Sequence, residues 1–257
     1  MVSSTSTFLE KLSVKWQEEK FICVGLDQSN FDANSLVVDA TFDLVCAYKP
    51  NSAFYEAKGT EGLENLKKTI QYIHEKDPDM AVILDAKRGD IGNTNEEYAK
   101  AVFDDLGADA VTVHSYLGKE SLQPFLNRKD KGIIVLVKTS NPGAGEFQDL
   151  DTGGKPIYQV VAEHVKKWNT NGNLGIVVGA TYPEELKAVR EIVGDMPILI
   201  PGIGAQGGEI KQVVQAGINN IGQGIIINSS RGIIFADNPR EATLKLQREI
   251  QESLKSV

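Results

Sequence analysis

In the stretch AVILDAKRGDIGNT (81–94), charged side chains follow directly on an unbroken apolar run. Asp85 and Lys87 stand two positions apart, so on an extended strand their side chains share one face, and Asp90 follows a glycine. Because neighbouring carboxylates favour the charged form of an amine, Lys87 is expected to stay protonated, as a proton donor rather than a Schiff-base nucleophile. Arg88 should point away by alternation and be structural. The alternative interpretation of the whole cluster is a structural ion-pair network.

Two stretches near the end of the chain, the glycine-rich PGIGAQGG and the polar NSSRG, suggest a second kind of chemistry. Glycines let a backbone approach a ligand closely, and N–H groups at the start of a helix bind phosphate. Gln206 adds an amide, and Arg231 adds a planar charge that suits phosphate oxygens. These stretches predict a phosphate site, with simple turn glycines and a surface arginine as the alternative.

Gly202, Gly204 and Gly207 also match G-x-G-x-x-G, the fingerprint of dinucleotide-binding folds. That fingerprint requires an acidic residue about 20 positions further on, which binds the ribose. No Asp or Glu occurs between Ile210 and Ala236. The match therefore does not predict a nicotinamide cofactor.

Apolar runs recur along the chain with helical stretches between them, and this alternation must position the residues described above. Each run is apolar on both faces, as parallel strands covered by helices must be. Eight such runs predict an α/β fold, a (β/α)8 TIM barrel of about 250 residues, formed as a single domain over 1–257; a doubly wound sheet is the alternative. The predicted strands are 21–26, 44–49, 81–87, 110–114, 132–137, 174–179, 197–202 and 220–227.

Ligands of such a barrel bind at the carboxyl ends of its strands. Asp27 and Lys49 end the first two predicted strands and extend the charged cluster. His114 ends the fourth strand and is interpreted as structural rather than as an acid–base group. The stretch 141–156, rich in Gly, Pro and Asp, is predicted to be a functional loop and a candidate lid.

Composition limits the class of protein. The net charge of −8 argues against a general nucleic-acid surface, and no run approaches the ~18 apolar residues of a membrane span. No signal peptide is recognised at the N-terminus, so a cytoplasmic location is expected. Cys23 and Cys46 lie in apolar runs and should be reduced core residues, whereas His74 and His164, in helical stretches, are expected at the surface.

The segment DAKRGDI resembles the D-x-K-x-x-D-I signature of orotidine 5′-phosphate decarboxylases, and the resemblance extends through nearly the whole chain. The stretches AYKPNSAFYE, DAKRGDIGNT and VKTSNPGA resemble the bacterial-type branch of that family. Related sugar-phosphate enzymes carry a similar D-x-K-x-x-D, so the motif alone does not distinguish the family and residues outside it must also match. Residues at five further strand ends match binding positions of the family, namely Asp27, Lys49, Ser140, Gln206 and Arg231.

The resemblance implies decarboxylation of orotidine 5′-phosphate to UMP and carbon dioxide, the last step of UMP synthesis, without a cofactor or metal. Asp85 would oppose the substrate carboxylate. Lys87 would stabilise the carbanion that develops at C6 of the pyrimidine and then protonate it. Lys49 and Asp90 would complete an alternating Lys-Asp-Lys-Asp array that holds Lys87 in place and charged.

The same resemblance implies the substrate-binding residues. Asp27 would bind ribose hydroxyls with help from Lys49 and Thr94, and Ser140 would contact the pyrimidine edge. The phosphate would be held by Gln206, Ser230 and Arg231. Apolar positions around the departing carbon dioxide would be Ile91, Leu136 and Pro201.

A homodimer is also implied, because the family's equivalents of Asp90 and Thr94 reach into the neighbouring subunit's site. Two alternatives remain at this point. One is a related barrel that acts on a sugar phosphate with Mg²⁺, as 3-keto-gulonate-phosphate decarboxylases and hexulose-phosphate synthases do. The other is a non-catalytic sensor of a phosphate ligand, which would have no need for the repulsive Asp85.

Overall fold

A computed structural model describes residues 6–203 and 207–256 of the chain. Its parallel strands pair in chain order, and the first also pairs with the last, which closes a barrel. The predicted (β/α)8 fold is confirmed. The strands are β1 (Ile22–Leu26), β2 (Ala47–Pro50), β3 (Ala81–Arg88), β4 (Ala110–Val113), β5 (Gly132–Lys138), β6 (Leu174–Val178), β7 (Ile198–Pro201) and β8 (Ile225–Ser229).

Helices cover the outside of the barrel between successive strands. A π-helical segment, Lys100–Asp105, continues one of them, and a 3-10 turn, Pro142–Ala144, precedes another. The α-helices are α1 (Phe8–Gln17), α2 (Phe31–Thr41), α3 (Ser52–Glu56), α4 (Gly59–Lys76), α5 (Gly92–Ala99), α6 (Gly118–Leu126), α7 (Gly145–Gln148), α8 (Ile157–Trp168), α9 (Pro183–Val193), α10 (Gly207–Gly217), α11 (Arg231–Ile234) and α12 (Pro239–Leu254).

Helix α1 covers the amino-terminal end of the barrel. Thr7 and Glu10 form a capping box that starts this helix. Its Phe8 ring lies against Gly132 at the start of β5, and the Trp16 Nε1–H donates to the Ile225 carbonyl at the start of β8, 2.9 Å away. With this end covered, the carboxyl ends of the strands are the face open to ligands.

The eighth strand begins five residues later than its predicted start at 220. Gly222 and Gly224 have φ of +73° and +88°, which an extended strand does not allow. The side-chain oxygen of Asn219 accepts hydrogen bonds from the N–H groups of Ile221 and Gln223, which stabilises a turn over this apolar run. The predicted boundary of 220–227 is therefore wrong, because turn chemistry overrides hydrophobicity there.

The expectation of a surface position was wrong for His74. Its side chain is half-buried, and its Nε2 lies 2.9 Å from Asp109 Oδ2, while Lys11 donates to the other oxygen of the same carboxylate. His164 is exposed, as expected. Cys23 and Cys46 are free thiols in the core. No helix in the described ranges is long and apolar enough to span a bilayer.

Candidate active site

Three charged side chains meet at the carboxyl ends of β2 and β3. The Lys49 ammonium lies 3.0 Å from Asp85 Oδ2, and the Lys87 ammonium lies 2.7 Å from Asp85 Oδ1. Thr112, on β4, donates its hydroxyl to the same Oδ1 at 2.8 Å. Lys49 and the Asp85 carboxylate are nearly buried, whereas the Lys87 side chain is half exposed. The predicted cluster is therefore formed, with Asp85 between two ammonium groups.

The electrostatics of this cluster keep Asp85 ionised. Burial by itself would raise the pKa of Asp85, but the ammonium groups of Lys49 and Lys87 outweigh it and lower the pKa to about 2. Burial by itself would also lower the pKa of Lys49, yet the negative charge of Asp85 raises it above its ordinary value. At neutral pH the buried pair is a carboxylate and an ammonium.

The backbone of Lys87 has an unusual conformation, with φ of +45°. Side chains other than glycine are rarely found there, and such strain tends to occur at functional sites. Leu84 pairs with Val111 but Arg88 pairs with Val113, so β3 bulges between these positions. The Lys87 N–H donates to the Thr112 hydroxyl at 3.0 Å. The ammonium of Lys87 thus reaches Asp85 through a bulge rather than through the strand alternation expected from the sequence.

The direction of Arg88 agrees with the expectation that it points away from the charged cluster. Its guanidinium lies 2.6 Å from a carboxylate oxygen of Glu56 and 4.8 Å from the centre of the Tyr98 ring. The ring of His114 lies against Gly89, where a side chain would meet it at 2.5 Å. These contacts agree with the structural interpretation of Arg88 and His114.

Asp90 lies outside the cluster within one chain. Its N–H donates to Asn95 Oδ1 at 3.0 Å, and its carboxylate accepts from the Ile91 N–H at 2.7 Å. Among the described residues of one chain, no ion pair joins Asp90 to either catalytic lysine candidate. Thr94, one turn further along α5, is half-buried. A single chain therefore brings together three members of the expected four-residue array.

A cavity of about 800 Å³ opens at the carboxyl ends of β1, β7 and β8, and helix α12 forms part of its lining. Ser230 donates to Asp27 Oδ2 at 2.6 Å, while Asp27 Oδ1 is buried without a hydrogen-bond partner. Gly25 permits this contact, since a Cβ there would lie 2.7 Å from the Cβ of Ser230. Arg231 is exposed at the start of α11 and lines the same cavity. Hydroxyl and phosphate groups suit these acceptors and cations.

The remaining binding candidates lie on neighbouring strand ends. Ser140 follows β5 between two glycines: a Cβ on Gly179 would come within 2.8 Å of the Ser140 Cβ, and one on Gly202 within 3.6 Å. Gln206 lies outside the described residues. The apolar candidates are exposed Ile91, before α5, and half-buried Leu136 and Pro201, on β5 and β7.

Two residues of the site were not anticipated from the sequence. Thr112 contacts both Asp85 and Lys87, but it stands within an apolar strand, AVTV, where a threonine is an ordinary strand residue. Asn228 lines the cavity with a buried, unpaired Oδ1. Asn228 is the first residue of NSSRG, the stretch predicted to bind phosphate, and this position could have identified it as a site residue. Among the described residues, no group of three or more His, Cys, Asp and Glu side chains has the arrangement of a metal site.

The low pKa of Asp85 predicts a specific contribution to acid stability. A carboxylate with a folded pKa of about 2, against an ordinary 3.8, stabilises the fold above about pH 4 and loses this effect as the pH falls towards 2. The difference in free energy of unfolding between wild type and Asp85→Asn should therefore change by about 2 kcal/mol from pH 5 to pH 2. Urea unfolding at several pH values measures it.

Asp105→Asn is the control for that measurement, because Asp105 forms an exposed ion pair with Lys67, a type that contributes little. The difference in free energy of unfolding between Asp105→Asn and wild type should stay nearly constant from pH 5 to pH 2. If the difference in free energy of unfolding between Asp85→Asn and wild type is equally independent of pH, the ionised carboxylate of Asp85 does not stabilise the fold as proposed.

Comparison with known proteins gives consistent matches. The model of the Orotidine 5′-phosphate decarboxylase / HUMPS family matches residues 20–246. Orotidine 5′-phosphate decarboxylase of Ralstonia pickettii (strain 12J) is 48% identical over 268 aligned residues, covering 95% of this chain and 98% of that protein. The same enzyme of Ralstonia nicotianae is 50% identical over 247 residues, covering 90% of each chain. The resemblance to the bacterial-type branch is thereby confirmed.

Solved structures agree with the sequence comparison. Leishmania donovani OMP decarboxylase superposes with a TM-score of 0.92 and 38% identity, covering 98% of this chain and 100% of that one. Leishmania donovani UMP synthase superposes with a TM-score of 0.93 and 40% identity, covering 97% of this chain and 57% of that one. Both matches extend over nearly all of the barrel.

Proposed function

Because the chain belongs to the Orotidine 5′-phosphate decarboxylase / HUMPS family, it decarboxylates orotidine 5′-phosphate to UMP in pyrimidine biosynthesis, and we propose which of its residues do so. Lys49, Asp85 and Lys87 of one subunit act together with Asp90 of a second. The observation that carries this assignment is the buried carboxylate of Asp85, held ionised between two ammonium groups.

Asp85 acts on the ground state of the substrate. Its pKa of about 2 keeps it anionic at neutral pH, so a substrate carboxylate placed beside it meets a like charge. The repulsion disappears as carbon dioxide leaves, so it raises the energy of the bound substrate more than that of the transition state. Only such differential interactions increase the rate of the chemical step.

Lys87 acts on the developing carbanion. As C6 of the pyrimidine gains negative charge, the nearby ammonium stabilises it electrostatically, and then transfers a proton to C6. Lys49 holds Asp85 from the opposite side, 3.0 Å from its Oδ2, so the carboxylate does not follow Lys87 during this transfer. The ion pair with Asp85 Oδ1, 2.7 Å away, holds the Lys87 ammonium in place in advance.

The phosphate end supplies binding energy away from the reacting bond. Arg231 and Gln206 bind the phosphate together with Ser230, while Asp27 and Thr94 bind the ribose hydroxyls and Ser140 contacts the pyrimidine edge. The unpaired Oδ1 of Asp27 supports a role as acceptor for a hydroxyl. Binding energy from these remote groups can orient the base over the charged cluster. The apolar surface that receives carbon dioxide is formed by Ile91, Leu136 and Pro201.

A homodimer completes each site in this proposal. Asp90 lies two residues before α5 and Thr94 lies in its first turn, and Ile91, between them in the sequence, is 58% exposed. We place a second copy of the chain against this edge, because burial of Ile91 there would remove its apolar surface from water. We also propose a cytoplasmic location without nucleic-acid or membrane partners, which the net charge of −8 supports.

The function predicts turnover that does not depend on a divalent cation. Loss of orotidine 5′-phosphate absorbance should proceed at the same rate with and without EDTA, because the lysine cluster itself stabilises the carbanion. Loss of activity on chelation, restored by Mg²⁺, would instead favour the sugar-phosphate chemistry of related barrels. No turnover of orotidine 5′-phosphate under either condition would refute the function.

A further inference from the structure

A buried lysine outside the catalytic cluster ends strand β5. Lys138 has no exposed surface, and its ammonium pairs with the carboxylate of Asp149, which directly follows α7. The ammonium also lies 4.7 Å from the centre of the Tyr182 ring and 5.6 Å from that of Tyr158, on the helical side of the barrel wall. Lys138 therefore points away from the substrate cavity, and the decarboxylation does not use it directly.

The next residue makes a second tie to the same loop. The Thr139 N–H donates to Gln148 Oε1 at 2.9 Å, and Gln148 Nε2 donates to the Thr139 hydroxyl oxygen at 2.8 Å. That hydroxyl in turn donates to Asn141 Oδ1 at 2.7 Å. Two consecutive residues at the end of β5 thus hold two consecutive residues of the loop, Gln148 and Asp149.

The pairing of Lys138 is costly to break. A buried ammonium without a hydrogen-bonded counter-charge is strongly unfavourable, so the ammonium of Lys138 requires the carboxylate of Asp149 to stay in place. Gly145 leaves room for that carboxylate, since a Cβ there would lie 2.8 Å from Asp149 Oδ2. The loop is consequently fixed at Asp149 by the barrel wall itself, although Asp149 is half exposed to solvent.

We propose that the Lys138–Asp149 and Thr139–Gln148 contacts form a clamp that positions Ser140 for the pyrimidine base. Ser140 directly follows the two clamped residues and is confined by Gly179 and Gly202 on the adjoining strand ends. Lys138 is a positioning residue: it acts through the loop and does not touch the substrate. This inference rests on the proposed contact between Ser140 and the base.

The clamp can be tested by comparing two ligands in the intact enzyme. Lys138→Met and Asp149→Ala should each weaken the binding of UMP by about tenfold, the value of one well-placed hydrogen bond. Each should leave the binding of ribose 5-phosphate, which lacks the base, unchanged. The double variant should be no worse than either single variant, because both break one contact. Calorimetric titration measures each affinity.

Lys155→Met is the matched control, because Lys155 forms an exposed ion pair with Glu163 at the other end of the same loop. It should bind both ligands as the wild type does. Amide hydrogen exchange over 139–149 provides a second measurement, and it should accelerate in Lys138→Met and Asp149→Ala but not in the control. Lys138→Met removes the buried charge together with the ion pair, so it tests the clamp even where Asp149→Ala, which leaves that ammonium unpaired, fails to fold.

The outcomes separate the clamp from the role of Ser140. Unchanged exchange in both clamp variants, or equal loss of UMP and ribose 5-phosphate binding, would overturn the clamp. Ser140→Ala should by itself reduce UMP binding without affecting ribose 5-phosphate. If Ser140→Ala binds UMP normally while the clamp variants accelerate exchange, the proposed contact of Ser140 with the base is wrong and the positioning inference with it, whereas the decarboxylase function stands.

Discussion

Replacement of Lys87 by alanine should lower kcat for orotidine 5′-phosphate by at least about four orders of magnitude. The change removes the proton donor, for which general acid catalysis alone accounts for about 10²–10⁴. It also removes a cation beside the developing carbanion, and electrostatic stabilisation of this kind contributes about 10²–10³ per group. UMP should still bind, because the cavity with Asp27 and Arg231 is not altered. Single-turnover assays and UMP titration measure both effects.

Two further variants sharpen this test. Lys87→Gly should be as inactive as Lys87→Ala but more stable, because glycine adopts the φ of +45° at this position without strain. Lys67→Ala, in an exposed ion pair with Asp105, is the control for loss of a lysine and should retain normal turnover. Near-normal kcat in Lys87→Ala would refute the assigned mechanism, although not the family membership.

Mixing two inactive variants should restore activity if sites are shared between subunits. Lys87→Ala and Asp90→Ala each inactivate both sites of their own dimers in the proposed arrangement. In a hybrid dimer, one site receives Lys87 from one subunit and Asp90 from the other, and is intact. Random exchange of equal amounts makes half of the dimers hybrid, so about one quarter of wild-type activity should return. Activity is followed during subunit exchange.

The matched control is a mixture of Lys87→Ala with Lys49→Ala. Both residues lie in the cluster of one chain, so each hybrid dimer contains two defective sites and activity should not return. Native mass spectrometry establishes whether hybrids form. Hybrids without activity in the Lys87→Ala and Asp90→Ala mixture would show that Asp90 serves the site of its own subunit.

Much of the architecture could be predicted from the sequence because its signals are local. Eight runs that are apolar on both faces predicted eight parallel strands. The polar residues at the carboxyl ends of these runs predicted where a ligand binds. The pairing of Asp85 with Lys87 could be predicted without tertiary information, because the two residues stand on one short segment. Such patterns depend on neighbours within a few positions, which a sequence displays directly.

Strand ends and side-chain directions were less predictable. The run at 220–224 is apolar enough for a strand, yet the Asn219 side chain and two glycines with positive φ make it a turn. Strand alternation correctly predicted that the Lys87 side chain lies beside Asp85. The physical reason was different, because the bulge in β3 sets the direction of that side chain. Backbone conformations of single residues decide such details, and residue types do not reveal them.

Partners that are distant in sequence were decided only by the tertiary structure. Thr112 lies 27 positions from Asp85, and Lys138 contacts Asp149 in the loop that was predicted to be functional but for which no contact with Lys138 was predicted. His74 was predicted to be a surface residue, but the fold places it beside Asp109. The sequence by itself determined which strands and charges the barrel contains. Closure of the barrel decided which charges face one another, because contacts across it join residues whose separation no local pattern encodes.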